Sequence, residues 1–194
     1  VVVPARLLHR LPDEVSFDAG AMVEPAAVAM HAARISGIEP GDLVVVVGAG
    51  LIGNLAMQAA RTLGAGAVAI VDIVPERLEI AQRLGADVVI DSSRGDPATV
   101  LEAATGRRTA DVVLEAVGIQ ATIDLATALT RPGGSLTLIG NVRHDFNEGF
   151  DDATTWRAAA SLRPTDSPFR LHASVGTGIK YPSFSEQFGE FFGF

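Results

Sequence analysis

Stretches of consecutive apolar residues alternate with helix-spaced apolar positions along the first 140 residues of the chain. The first stretch, residues 43–47, is one leucine followed by four valines, which is typical of a parallel strand covered on both faces. From Leu51 to Leu63 every fourth residue is apolar, as on the buried face of a helix, and Gly64 ends that pattern. The first unit is therefore predicted to be a strand followed by a helix.

The same alternation continues to residue 139. Pro75 opens the second predicted helix, and Asp96 and Pro97 form an N-cap and a first helical residue farther along. The further strands are predicted at 67–71, 88–90, 112–117 and 136–139, with helices at 75–84, 97–101 and 119–129. Because helices of this kind cross over right-handedly, the pattern predicts an α/β fold: an incomplete, doubly wound, Rossmann-like parallel sheet of five strands, ordered 3-2-1-4-5.

A glycine-rich loop joins the first strand to the first helix. Its glycines follow the G-x-G-x-x-G spacing at Gly48, Gly50 and Gly53. In this context Gly48 permits a tight turn, Gly50 lets the backbone approach a pyrophosphate, and Gly53 lets the helix pack close to the sheet. The N–H groups that open the helix, at Leu51 and Ile52, then face the anion. A purely structural glycine turn is the alternative.

The second strand ends in an acidic residue, Asp72, nineteen positions beyond Gly53. A carboxylate there accepts hydrogen bonds from a ribose diol and repels a 2′-phosphate, so the sequence predicts NAD rather than NADP as the cofactor. Arg77 follows five residues later. Its guanidinium either stacks on the adenine or pairs with a nearby glutamate on a solvated helix surface, and the sequence favours neither.

Two further strand ends are predicted to pass beside the nicotinamide half of the cofactor. Val117 and Ile139 each end a strand and precede a glycine at the carboxyl edge of the sheet, where ligands of open α/β sheets bind. Ordinary strand-ending glycines would show the same pattern. Glu115 lies inside the apolar strand, and the sequence does not decide whether it is a functional ionisable residue or a buried carboxylate with satisfied hydrogen bonds.

Composition and charge exclude several classes of function. The chain has 194 residues, of which 48% are hydrophobic, and this is enough for one core. Its formal net charge of −8 leaves no basic surplus, so we expect no nucleic-acid partner. The chain has no cysteine, which excludes disulfides and thiolate-ligated zinc. The longest apolar run, residues 43–53, is too short for a transmembrane helix, and a cytoplasmic location is expected.

Several ordered motifs in residues 1–140 resemble the medium-chain zinc-dependent alcohol and polyol dehydrogenases, most closely their sorbitol and threonine dehydrogenase branch. Besides the glycine loop, these motifs are Leu11-Pro12-Asp13, Val23-Glu24-Pro25, Pro40-Gly41-Asp42, Leu84-Gly85-Ala86-Asp87 and Arg131-Pro132-Gly133-Gly134. The resemblance implies an NAD-dependent oxidoreductase that transfers a hydride between a small alcohol or polyol and the nicotinamide ring. In that family zinc polarises the alcohol oxygen.

The resemblance also implies a zinc site, of which this chain keeps one position. Glu24 matches the family's acidic residue at or near the catalytic zinc, a metal-ligand and catalytic position, whereas the cysteine and Gly-His-Glu ligands that precede it in family members are absent. Because a catalytic zinc needs three protein ligands, we expect the chain alone to bind no zinc and to be inactive. Glu24 is alternatively a helix-start glutamate, and His31 is expected to be a packed or surface residue.

The last 54 residues follow a different pattern. They hold ten of the eleven aromatic residues, and apolar and polar positions alternate over 155–163 and 169–175, which predicts a β-hairpin. Residues 141–183 resemble a barrel segment of TonB-dependent outer-membrane receptors, although a soluble hairpin at the sheet edge would alternate in the same way. The predicted division is a substrate-domain remnant at 1–40, an NAD-binding domain at 41–140 and an unrelated tail at 141–194.

These observations lead to three hypotheses about function. The favoured one is the cofactor-binding portion of an NAD-dependent alcohol or polyol dehydrogenase. The alternatives are a fragment of an outer-membrane receptor and a non-catalytic nucleotide-binding module. Because the chain starts without Met and its composition changes near residue 140, we expect a fragment and a chimeric reading frame. The oligomeric state and the substrate stay open.

Overall fold

A five-stranded parallel sheet forms the centre of the protein. The structure, a computed structural model, describes residue 5, residues 8–139 and the backbone of three strands within 142–176. The strands of the central sheet are β1 Leu43–Val47, β2 Ala67–Asp72, β3 Val88–Asp91, β4 Ala110–Glu115 and β5 Thr130–Leu138. Their order is β3-β2-β1-β4-β5, and every pair is parallel, which confirms the predicted order.

Helices cover both faces of the sheet. They are α1 Phe17–Ala21, α2 Val23–Ile35, α3 Leu51–Thr62, α4 Pro75–Arg83, α5 Pro97–Thr105 and α6 Gln120–Leu129. Alternate residues of β1 belong to different cores: Val44 and Val46 pack with α2, α3 and α4, and Val45 and Val47 with α5 and α6. All five residues of β1 are therefore buried, which explains why its sequence is continuously apolar rather than alternating.

The end of β4 differs from the prediction. The strand was expected at 112–117 but ends at Glu115. The carboxylate of Glu115 accepts hydrogen bonds from the backbone N–H groups of Val117, at 2.8 Å, and Gly118, at 2.7 Å. Because these N–H groups bond to a side chain, they are not free to extend the ladder with a neighbouring strand. The chain leaves the sheet at this point and enters α6.

The start of β5 also differs from the prediction. A turn was expected at 131–134, yet β5 already begins at Thr130 and pairs irregularly: where β4 advances from Ala110 to Val112, β5 advances from Thr130 to Ser135. Asp111 fixes this arrangement at the amino edge of the sheet. Its carboxylate accepts hydrogen bonds from Arg131 Nε at 2.7 Å and from the Leu43 N–H at 2.9 Å.

A second, antiparallel sheet follows along the chain. Its strands are β6 Val142–Asp145, β7 Ala153–Leu162 and β8 Leu171–Gly176, in the order β6-β7-β8. β7 and β8 pair from Arg157 opposite Gly176 to Leu162 opposite Leu171, so they form the hairpin that the alternation predicts. β6 was not predicted. Across the part of the chain that the structure describes, no helix is long and apolar enough to cross a membrane.

Candidate functional site

A cavity of about 500 Å³ opens at the carboxyl edge of the central sheet. Its walls come from the ends of β1 and β2, from the segment that follows β4, and from α5 and α6. β1 lies between β2 and β4, and the chain leaves β1 in one direction and returns to β4 on the other side. This is the switch point at which open α/β sheets bind their ligands. Asp72, Arg77 and Val117, all predicted as site residues, line this cavity.

The glycine loop closes the cavity at the end of β1, and its three glycines are there for different steric reasons. Gly48 has a φ of +102°, and a Cβ at this position would lie 2.6 Å from Val117 Cγ2. A Cβ on Gly53 would overlap the carbonyl oxygen of Gly48. A Cβ on Gly50 would meet nothing within 4 Å. Gly48 and Gly53 are thus required by the protein itself, whereas the described fold does not require a glycine at residue 50.

The start of α3 provides backbone donors. Gly50 is the N-cap, no side chain caps the helix, and the first turn contains no acidic residue. The Asn54 N–H donates to the Gly50 carbonyl at 2.9 Å. Among the described residues, no acceptor faces the N–H groups of Leu51, Ile52 or Gly53. A helix end of this kind carries about half a positive charge and is a ready site for a phosphate oxygen.

Asp72 holds the loop from the side of β2. It is 8% exposed, and its Oδ2 accepts a hydrogen bond from the Ala49 N–H at 2.7 Å. Its Oδ1 accepts from the N–H groups of Ile73, at 2.7 Å, and Val74, at 3.0 Å. The predicted ribose-binding carboxylate is therefore also a structural link between β2 and the glycine loop. The spacing of Asp72 from Gly53 predicted its position at the end of β2 but not its hydrogen bond to the glycine loop.

Arg77 lies on the first turn of α4, where its Nη1 is 3.8 Å from Oδ2 of Asp72. The sequence offered a glutamate as the alternative partner, and this was wrong: the carboxylate beside Arg77 is that of Asp72. The guanidinium side chain is 55% exposed and lines the cavity. It is therefore in reach of a ligand while still neutralising part of the buried charge.

Val117 and Ile139 differ in their positions. Val117 lines the cavity opposite Gly48. Ile139 continues the ladder by donating its N–H to the Glu115 carbonyl at 2.8 Å, and its side chain packs against the core on the α3 face. It is not one of the residues that line the cavity. Its predicted contact with the nicotinamide half stays a prediction.

Glu115 is fully buried directly beneath the segment that carries Val117. Its Oε1 accepts three hydrogen bonds, from the N–H groups of Val117 and Gly118 and from Thr122 Oγ1 at 2.8 Å. No described residue donates a hydrogen bond to Oε2. The sequence allowed for a buried carboxylate with satisfied hydrogen bonds, and only one of its two oxygens fits that description.

Glu24 lies in the first turn of α2 and is exposed. Within residues 8–139 the structure brings no three His, Asp or Glu side chains close enough to share a metal ion. His31, on the same helix, is exposed as well. The described residues therefore do not assemble a catalytic zinc centre around Glu24.

Sequence reasoning missed three residues near the site. Asn54, on the buried face of α3, donates from its side-chain nitrogen to the carbonyl oxygens of Ala49, at 2.7 Å, and Gly50, at 3.0 Å. Ile73 and Ile119 line the cavity while remaining 66% and 55% exposed. An amide on the buried side of a helix, directly after the last glycine of the motif, was a signal available in the sequence.

The zinc-binding dehydrogenase family model matches residues 52–165. A zinc-type alcohol dehydrogenase-like protein of Escherichia coli K12, YdjJ, is 39% identical over 142 residues, which are 73% of this chain and 41% of YdjJ. Human sorbitol dehydrogenase is 36% identical over 138 residues, or 70% of this chain and 39% of the relative. The chain thus spans about two fifths of the length of these relatives.

A solved structure shows the same likeness. A zinc-binding dehydrogenase from Sinorhizobium meliloti 1021, with NADP bound, superimposes with a TM-score of 0.65 at 33% identity, covering 72% of this chain and 41% of that protein. The comparisons do not support the likeness of the tail to outer-membrane receptors, and the family match continues past residue 140 to residue 165. The domain boundary near residue 140 stays a prediction.

Proposed function

Because the chain belongs to the zinc-binding dehydrogenase family, we propose that its carboxyl-edge cavity and glycine loop bind NAD. The chain then supplies the cofactor-binding portion of an enzyme that transfers a hydride between an alcohol or polyol and the nicotinamide ring. NAD, when bound, accepts or returns the hydride. The part of the chain that the structure describes binds and orients the cofactor.

The glycine loop is the observation that carries this proposal. Gly48 and Gly53 are explained by contacts inside the protein, but Gly50 borders open space, and the N–H groups that follow it have no acceptor among the described residues. A pyrophosphate would supply both the acceptors and the close approach that a side chain at residue 50 would block. The residues present therefore fit a dinucleotide.

The adenosine end would lie in the cavity. Oδ1 of Asp72 accepts from two N–H groups and Oδ2 from one, so Oδ2 keeps an acceptor site that a ribose hydroxyl would fill. Ile73 and Ile119 provide apolar surface at the mouth of the cavity, where an adenine ring would cover them. Arg77, which is exposed at the same cavity, would stack on that ring.

The choice of NAD over NADP rests on the same carboxylate. A 2′-phosphate would bring about two negative charges next to a buried carboxylate whose nearest cation, Arg77, is 3.8 Å away. The S. meliloti relative binds NADP, so the family does not decide this choice by itself. We infer NAD from the charge at Asp72.

Zinc binding is a property of the family that the described residues of this chain do not reproduce. The described residues lack a set of three ligands, and the chain has no cysteine. We propose that the 194-residue chain binds the cofactor but, alone, does not oxidise alcohols. We further propose that the substrate of the whole enzyme is a small alcohol or polyol and that its location is cytoplasmic.

Calorimetric titration of the full chain with NAD, ADP-ribose and NADP tests the proposal. We expect NAD and ADP-ribose to bind with similar Kd, since the adenosine and pyrophosphate make the contacts, and NADP to bind at least tenfold more weakly. Absence of ADP-ribose binding would overturn the proposal. Zinc-dependent turnover of sorbitol by the purified chain would overturn the expected lack of activity.

Two arginines on α4 provide a matched pair for the adenine contact. Arg77→Ala should weaken NAD binding severalfold, because the proposed stacking partner is removed. Arg83→Ala removes an exposed arginine from the last turn of the same helix and should leave NAD binding unchanged. Equal affinities in the two variants would remove Arg77 from the proposed site.

A further inference from the structure

The peptide that carries Ala49 is held from both sides by side chains. Its N–H donates to Oδ2 of Asp72 at 2.7 Å, and its carbonyl accepts from Nδ2 of Asn54 at 2.7 Å. Ala49 itself is 2% exposed. Nδ2 of Asn54 also donates to the Gly50 carbonyl at 3.0 Å, and the Asn54 backbone N–H donates to the same oxygen at 2.9 Å. Two successive carbonyls of the glycine loop are thus fixed by one residue.

The orientation of the Asn54 amide follows from its partners. Both of its neighbours are carbonyl oxygens, which can only accept, so the nitrogen rather than the oxygen must face them. The remaining oxygen, Oδ1, is buried and has no partner among the described residues. The desolvation of this unsatisfied oxygen offsets part of what the two donated hydrogen bonds contribute to stability. Its presence at this position calls for another reason.

Peptide geometry supplies that reason. No cis peptide bond occurs in the described chain, and in a trans peptide the C=O of one residue and the N–H of the next point in opposite directions. Holding the Ala49 carbonyl toward α3 therefore turns the Gly50 N–H away from the helix. Holding the Gly50 carbonyl does the same for the Leu51 N–H.

We propose that Asn54 is a positioning residue for the cofactor pyrophosphate: by holding the carbonyls of Ala49 and Gly50 inward, it aims the N–H groups of Gly50 and Leu51 at the phosphate oxygens. This inference rests on the proposed function of the loop. It adds a side chain that touches no ligand atom and acts only through the backbone. The loop is then organised for phosphate before the cofactor binds, which lowers the ordering cost of binding.

The discriminating variant is Asn54→Leu, with Gln58→Leu as its control. Gln58 lies one turn farther along α3, is exposed, and undergoes the same amide-to-leucine change without contacting the glycine loop. We expect Asn54→Leu to raise the Kd of NAD and ADP-ribose about tenfold and to change the Kd of adenosine, which has no phosphate, less than twofold. Gln58→Leu should leave all three values unchanged.

Stability separates positioning from a merely structural role. Leucine removes an unsatisfied buried oxygen but also leaves the Ala49 carbonyl without its donor, so the Tm of Asn54→Leu should change by no more than a few degrees. The variant should thus stay folded at the titration temperature while its NAD binding is weakened about tenfold. Loss of adenosine and NAD binding together, or unchanged NAD binding, would overturn the inference. If leucine prevents folding, Asn54→Asp keeps the shape but replaces the donor with an acceptor, and its Kd for NAD must rise at least as much.

Amide NMR of the ligand-free protein distinguishes failure of this inference from failure of the proposed function. If the unchanged chain binds neither NAD nor ADP-ribose, the proposed function fails. The signals of Gly50 and Leu51 then still test the positioning: displaced or broadened signals in Asn54→Leu, and not in Gln58→Leu, support it. Unchanged signals would overturn it.

Discussion

Oδ2 of Asp72 lies 2.7 Å from the backbone nitrogen of Ala49, a hydrogen bond that spans 23 positions of the sequence. Through Oδ1 the same carboxylate holds the two N–H groups that follow β2. One buried side chain thus joins the end of β2 to the loop that ends β1. In the proposed complex it would contact the ribose, so the ribose and pyrophosphate sites share a single rigid support.

Replacing that carboxylate by an amide should alter both cofactor choice and stability. Asp72→Asn keeps the shape but removes the charge, and one end of the amide becomes a donor that must face a backbone N–H. We expect the free energy of unfolding to fall by about 1–3 kcal/mol. The preference for NAD over NADP should shrink at least tenfold, because a 2′-phosphate no longer meets a negative charge.

Urea denaturation and calorimetric titration measure these two effects. Asp91→Asn is the matched control, because Asp91 ends the neighbouring strand in register with Asp72 and does not line the cavity. It should leave the NADP-to-NAD ratio of Kd values unchanged. An unchanged ratio in Asp72→Asn would contradict the assignment of Asp72 as the residue that excludes the 2′-phosphate.

The contribution of Glu115 to the free energy of unfolding should come from one carboxylate oxygen, Oε1, rather than from both. Oε1 accepts from Val117, Gly118 and Thr122, whereas Oε2 has no described partner. Glu115→Gln can keep the three bonds to Oε1 but places an amide nitrogen without a described acceptor at the Oε2 position, so it should lower the free energy of unfolding by about 1–2 kcal/mol, while Glu115→Ala should cost about 3 kcal/mol. Chemical denaturation measures both values. Equal losses in the two variants would show that the second oxygen matters.

Asp111, at the amino edge of the sheet, should make the free energy of unfolding depend on pH. Hydrogen bonds from the Arg107 guanidinium, the Leu43 N–H and Arg131 hold the pKa of the Asp111 carboxyl well below its ordinary value of 3.8, against the opposing effect of burial. Because the pKa is lowered on folding, the stabilisation is complete above about pH 5. It is lost progressively as the pH falls below the ordinary value, when the unfolded chain takes up the proton first.

Asp111→Asn should therefore lower the free energy of unfolding by about 2 kcal/mol at pH 7, and this difference should shrink as the pH falls from 4 to 2. Denaturation curves across that range provide the measurement. Asp124→Asn changes an exposed carboxylate on α6 that pairs with Gln120, and should cost less than about 0.5 kcal/mol at any pH. A difference for Asp111→Asn that does not vary with pH would contradict this assignment.

Much of the fold could be predicted because its signals are local. Five apolar residues in succession identify β1, and the glycine spacing followed by Asp72 locates the switch point of the sheet. The errors arise where a side chain bonds to a distant backbone. Glu115 could be counted as a strand residue, but its carboxylate takes the next N–H groups and ends β4.

Prediction of the site was limited in the same way, by side chains that bond to backbone groups. The motif predicted Asp72 and the helix after it Arg77, the strand ends predicted Val117, and all three line one cavity. The motif predicts which residue types surround a dinucleotide. It does not tell which backbone groups those side chains hold before any ligand binds. Asn54 was missed for this reason, since its role depends on the direction of two carbonyls rather than on its spacing from the glycines.

Titration of Gly50→Ala with NAD, beside Gly95→Ala, measures whether the glycine loop holds the pyrophosphate. At both positions an added Cβ meets nothing within 4 Å and φ is in the ordinary range, so each variant should keep its stability within about 1 kcal/mol. Only the methyl group at residue 50 stands where the phosphates would approach. We predict that Gly50→Ala raises the Kd of NAD at least tenfold while Gly95→Ala leaves it unchanged; equal affinities in the two variants would contradict a cofactor site at this loop.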